Sequence, residues 1–196
     1  DDIRKGVSVV PPLLRREVLD TRPSDGDYIH GYMVNAGYGE SIARWHRDNP
    51  GVPLNFFWDR KGVDKVYKVD SILTFNQIDD KAFLKSLAGC RAYATTAGFE
   101  SVCEAMYLGK PLLMVPAHIE QDCNAYDAFR SGAGVISEEF DLERLLDFSE
   151  HFRPNMAFRY WVRSCDWRIL RCIEREEKEE TFFGVSSSCR PFFPAT

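Results

Sequence analysis

Short apolar runs alternate along this chain with stretches of helical period, and each run ends in Gly, Asn, Pro or Thr, the punctuation of βαβ units. Strands are predicted at Tyr28 to Val34, Pro53 to Trp58, Ser71 to Phe75, Arg91 to Ala94, Leu112 to Val115 and Val135 to Ile136. Between them, helices are predicted over Glu40 to Arg47, Asp79 to Ala88, Phe99 to Leu108, Gln121 to Arg130 and Asp141 to Phe148. Asn49-Pro50-Gly51 closes the first helix, Gly109-Lys110-Pro111 the third and Ser131-Gly132-Ala133-Gly134 the fourth. Leu112-Leu113-Met114-Val115 is apolar on both faces, which suits a strand in a sheet covered on both sides. The fold class that follows is α/β, a Rossmann-like parallel sheet with helices on both faces and right-handed crossovers.

The two ends depart from this alternation. Residues 1–26, with Pro11-Pro12, Arg15-Arg16 and Pro23, are expected to form a leading strand and a linker, and residues 27–150 the Rossmann-like domain. Residues 151–196 hold one long helix over 155–180, with Trp161, Ile169 and Ile173 among charges, then an irregular tail from Ser186 to Thr196. The acidic run Glu174 to Glu180 is a solvated helix end on this reading. Asp1 follows no initiator Met and no signal-peptide pattern, so the chain is expected to be a processed product or a piece of something larger.

Composition narrows the partners. With 196 residues, 44% of them hydrophobic, there is material for one core, and no apolar run approaches the roughly 20 residues that cross a bilayer. Thirty acidic residues against 25 basic ones give a net charge of −5, which offers no general attraction for nucleic acid or anionic lipid. Six cysteines without a CxxC pair and four histidines at unrelated spacings form no zinc pattern, so no metal is expected. Cys103 falls among apolar neighbours as a small core residue, which suits a reducing compartment, the cytoplasm.

In a doubly wound sheet ligands bind at the carboxyl ends of the strands, so the loops on that edge are the candidates. Asn35-Ala36-Gly37-Tyr38-Gly39 joins a strand to a helix, and its glycines let backbone amides approach an anion, although an ordinary turn explains the pattern equally well. Along Phe99 to Leu108, Phe99, Val102, Cys103 and Met106 share one helix face and Ser101 and Glu104 the opposite one, with Leu108 spoiling the polar side. Ser101 and the amides near Gly98 could hold phosphate, and Glu104 could accept two ribose hydroxyls; the bland alternative is a surface helix with an incidental Glu. Glu120, Gln121 and Asn124 cluster on the first turn of the next helix, where paired carboxylate and amide groups suit a polyol. Phe75 to Asp80 could present backbone groups to a planar base, or be a strand end followed by an Asp cap.

Together these segments resemble the carboxyl-terminal, nucleotide-sugar-binding half of a GT-B glycosyltransferase. The pattern of the UDP-glucuronosyltransferase and macrolide glycosyltransferase branches is T-H-G-G-x-N-S-x-x-E-A, then G-x-P, then D-Q-x-x-N-A. Here the matching residues are Thr95 to Ser101, Glu104-Ala105, Gly109-Lys110-Pro111, and Glu120-Gln121 with Asn124-Ala125, at the same spacings. Ile78-Asp79-Asp80 is similar to the base-contacting loop of the bacterial peptidoglycan N-acetylglucosaminyltransferase, and Pro11 to Arg16 to the segment that enters this half.

The resemblance implies one half of a GT-B architecture and transfer of a sugar from a nucleoside diphosphate donor, a UDP-sugar, to an acceptor. It implies that Ser101 and the Gly98 region meet the diphosphate, Glu104 the ribose, Glu120 and Gln121 the sugar, and backbone at Ile78 the uracil. Acceptor pocket and catalytic base would lie on an amino-terminal domain that this chain does not include, so the chain alone would bind the donor at most. No DxD pair is present, and amides at the Asn35 to Gly39 and Ala97 to Ser101 turns would take the charge of the departing diphosphate without metal or other cofactor. Three departures stand out: Thr96 replaces the phosphate-binding His, Ala97 replaces a glycine, and Glu120 stands where Asp is commoner. Two alternatives remain open at this point, a nucleotide-sugar epimerase and a non-catalytic Rossmann-like module; the first usually carries an Arg-x-x-Thr-Glu-Arg-Pro loop where this chain has Pro116 to Gln121.

Overall fold

Seven strands form a single sheet in the order β3-β4-β2-β1-β5-β6-β7. The strands are β1 (Ile29–Met33), β2 (Leu54–Trp58), β3 (Val66–Lys68), β4 (Leu73–Gln77), β5 (Ala92–Thr95), β6 (Leu112–Met114) and β7 (Gly134–Ile136). All neighbours are parallel except β3, which runs antiparallel to β4 at the edge. The helices are α1 (Arg16–Asp20), α2 (Gly39–Asp48), α3 (Asp80–Gly89), α4 (Phe99–Leu108), α5 (Ile119–Arg130), α6 (Leu142–His151), α7 (Met156–Arg163) and α8 (Cys165–Phe182). The computed structural model describes residues 8–182, with backbone alone beyond residue 174.

The period of two along each strand sorts side chains into two cores. Ile29 and Met33 of β1, Leu54, Phe56 and Trp58 of β2, and Leu73 and Phe75 of β4 pack beneath α2 and α6. On the opposite face Phe57, Tyr93, Leu112 and Met114 meet α3, α4, α5, α1 and α7. Leu112 to Val115 is buried throughout, as a strand covered on both sides must be. Gly109 ends α4 in the left-handed conformation at φ 73, its N–H bonded back to Ala105 and Met106. Lys110, next along, is buried, and its Nζ donates to the carbonyls of Ser24 (2.6 Å) and Cys90 (2.8 Å), fastening the lead-in segment to the sheet.

Four expectations need correction. No strand forms between residues 8 and 28; Arg16–Asp20 is a helix, because Val18 turns into the core beside α4. The charged connection after Trp58 contains β3, invisible to an apolar pattern because all three of its residues are exposed. Strand β4 starts two residues later than Ser71, since Asp70 Oδ1 accepts from the N–H groups of Ile72 and Leu73 and holds a turn there. The helix over 155–180 is two, α7 and α8, interrupted at Ser164, whose hydroxyl donates to Trp161 O. The tail from Ser186 and Cys189 lie outside the described residues.

His30 on β1 is fully buried among the rings of Phe57, Phe83 and Tyr93, with Nδ1 on the hydroxyl of Ser86. Burial pushes its pKa from 6.5 down to about 3. The unfolded chain therefore takes up this proton first, so stability is complete above pH 6.5 and falls as the pH drops toward 3, at about 1.4 kcal/mol per pH unit. Urea midpoints measured from pH 7 to 4.5 should show that slope in the wild type and a shallower one in His30→Gln; equal slopes would contradict it.

Candidate functional site

The chain order reverses between β1 and β5, where β1 leads to β2 on one side and β5 returns on the other. Ligand sites in open α/β sheets form at this switch, past the carboxyl ends of the strands. A cavity of about 520 Å³ lies there, lined by Tyr32 of β1, Ile78 after β4, Asp80 and Phe83 of α3, Gly98 to Ser101 and Glu104 at the start of α4, Glu120 of α5, and Arg15. Five of the residues expected from the sequence thus share one space: Ile78, Gly98, Ser101, Glu104 and Glu120.

Helix α4 opens onto this cavity without a side-chain cap at Gly98, and its first-turn amides have no intrahelical acceptor. Ser101 Oγ donates to Gly98 O at 3.2 Å. Beneath the turn, Thr96 is fully buried with an unpartnered Oγ1, and Ala97 holds φ 63, a left-handed conformation that costs a residue with a Cβ about 1 kcal/mol or more. Asn124 Nδ2 donates to Ala97 O at 3.1 Å and fixes the strained peptide. Alanine therefore reproduces here the conformation for which the related pattern uses glycine. Tyr93 lies wholly buried below, its hydroxyl beside Ser101 and Thr95 and its pKa raised by burial.

Glu104 is not on a solvent face. Only 8% of its side chain is exposed, and Arg15, 33% exposed, grips it from both sides of the fork: Nε to Oε1 at 2.7 Å and Nη2 to Oε2 at 3.2 Å. That pairing raises the already high pKa of Arg15. Arg15 is the functional candidate that sequence reasoning missed; the Arg15-Arg16 pair was visible, but its partner stands 89 residues away. Gln121 is buried, with Oε1 accepting from Ala117 N–H at 2.8 Å, and it does not line the cavity. Asn35 is spent on its own turn, Oδ1 accepting from Gly37 N–H at 2.8 Å, and Gly37 lines a different depression beside Trp58, Arg60 and Phe75. No group of three or more His, Cys, Asp or Glu side chains able to hold a metal ion occurs among the described residues, and none of the described helices is long and apolar enough to cross a membrane.

A family profile described as glycosyl transferase family 1 matches residues 2–152. A Caenorhabditis elegans protein described as a UDP-glucuronosyltransferase is 27% identical over 85 residues, 43% of this chain and 16% of that protein. Among solved structures, the glycosyltransferase of kitacinnamycin superposes with TM-score 0.58 at 15% identity, over 79% of this chain and 44% of the other. The spinosyn rhamnosyltransferase complexed with thymidine diphosphate gives 0.53 at 15% identity, over 80% and 47%. These two likenesses are of fold. The chain spans less than half the length of the relatives it matches.

Proposed function

Because this chain belongs to glycosyl transferase family 1, we propose that its cavity is the donor site of an enzyme that moves a sugar from a nucleoside diphosphate, a UDP-sugar, to an acceptor. The observation that carries the reading is the meeting of an uncapped α4 N-terminus and the carboxylate of Glu104 in one cavity at the switch point. In this arrangement the diphosphate lies at the amides of Phe99 to Ser101, where the helix dipole favours negative charge. Glu104 accepts the ribose hydroxyls, backbone at Ile78 meets the uracil, and Glu120 meets the sugar.

Glycosyl transfer breaks the bond from the sugar to the diphosphate, and the charge that develops on the departing oxygen is what fixed donors of this kind stabilise. No metal is needed for that step on this reading. Acceptor pocket and general base belong to an amino-terminal domain that completes the cleft. The buried thiols of Cys90, Cys103 and Cys165 are unpaired, which supports a reducing compartment, the cytoplasm.

Amide shift mapping of the isotopically labelled chain titrated with UDP, GDP and TDP tests the assignment. Saturable shifts with UDP, centred on Ile78 and Phe99 to Ser101 and unchanged by a chelator, are expected. Shifts centred instead on the depression between Ala36 and Phe75 would overturn it, and loss of binding on adding the chelator would overturn the metal-free mechanism.

A further inference from the structure

Ala97 is the non-glycine residue at positive φ among the described residues, and it is fully buried. Its N–H donates to Thr95 Oγ1 at 3.2 Å and its carbonyl accepts from Asn124 Nδ2 at 3.1 Å, so both of its backbone polar groups end on side chains. The peptide that joins it to Gly98 is trans, and in a trans peptide the N–H points opposite to the C=O. With the Ala97 carbonyl turned to α5, the Gly98 N–H is sent the other way, at a residue that lines the cavity. No acceptor meets that N–H among the described residues, and it stands beside the open first-turn amides of α4. Thr96, one residue earlier, is fully buried with Oγ1 also unpartnered. A Cβ disfavours the left-handed conformation by roughly 5- to 30-fold, so only an outside contact keeps this peptide as it is. Asn124 supplies that contact from α5, one turn beyond Glu120, which the same helix carries into the cavity.

We propose that Asn124 is a positioning residue of the donor site, whose hold on the Ala97 carbonyl keeps the Gly98 N–H and the α4 amides turned to the diphosphate. This rests on the placement of the diphosphate at the start of α4. Freed of Asn124, Ala97 returns to negative φ, the peptide between it and Gly98 rotates, and the Gly98 N–H leaves the cavity. Glycine at position 97 takes the left-handed conformation without steric penalty, so the clamp matters only while position 97 carries a Cβ. Residues 97 and 124 are therefore coupled in ligand affinity, although neither lines the cavity.

The test is titration calorimetry of UDP into four proteins, the wild type, Asn124→Ala, Ala97→Gly and the double variant, with thermal unfolding of each. Asn124→Ala is expected to weaken UDP binding by about 5- to 30-fold, the left-handed penalty read as a loss of the binding-competent conformer. Ala97→Gly should bind within about threefold of the wild type, and adding Asn124→Ala to it should weaken binding by no more than about threefold further. Should Asn124→Ala fail to fold, Asn124→Leu, of similar size and without a donor, carries the same expectation in both backgrounds. An equal loss with alanine and with glycine at position 97 would overturn the positioning role and leave the donor site standing, as would no loss in either. No saturable binding of UDP by the wild type would overturn both.

Discussion

Alanine at position 31 is expected to cost this domain about 3 kcal/mol or more, a large share of the stability of a single domain. Gly31 sits in the middle of β1, the central strand, and its face of the strand turns toward Phe56. A Cβ there would stand 2.1 Å from two carbons of the Phe56 ring, far inside contact distance. The ring has no room to retreat, being fully buried with Phe75 and Phe140 around it. Nor can the backbone shift, because β1 is paired with β2 on one side and β5 on the other. Gly51→Ala is the control, since a Cβ at that position meets nothing within 4 Å. Urea unfolding of the two variants should separate them widely, and equal midpoints would contradict the packing described here.

The second large effect is on binding. Glu104→Ala removes the carboxylate that the donor-site reading gives to the ribose, and hydrogen bonds to a charged group are worth about 1.5–3 kcal/mol, or roughly 10- to 150-fold in affinity. Folding should hardly notice. Arg15 loses its partner, but it is one-third exposed and water can replace the carboxylate, so a stability loss below about 1 kcal/mol is expected. Binding lost with folding kept is the signature of a ligand-facing group; a merely structural ion pair would show the reverse.

What was legible in the sequence followed apolar punctuation. Strands such as Leu112–Met114, buried on both faces, and helices ended by glycine, such as α4 at Gly109, announce themselves because burial and left-handed caps each restrict residue type. The exposed edge strand β3 carries no such restriction, and Val66–Lys68 is only a short stretch within a charged, glycine-containing connection. Within the cavity, Gly98, Ser101, Glu104 and Glu120 could be picked out because each stands at a fixed offset from a strand end or helix start, and Ile78 only through the resemblance of its loop. Arg15 was not, since ion pairing across the fold leaves no local period. The helical wheel misled at Glu104 for a related reason: it separates polar from apolar faces but does not show that the guanidinium of Arg15, just ahead of α1, covers the polar one. Asn35 and Gly37 had the composition of an anion-binding turn, yet the Gly37 amide is satisfied by Asn35 itself, a local bond that competes with any ligand.

The measurement that bears most directly on the central claim is titration calorimetry of UDP into the wild-type chain and Glu104→Ala side by side. A saturable, one-site isotherm for the wild type, weakened by roughly 10- to 150-fold in a variant that unfolds at nearly the same temperature, is the predicted result. Equal affinity for UDP in the two proteins would contradict it and remove Glu104 from the donor site.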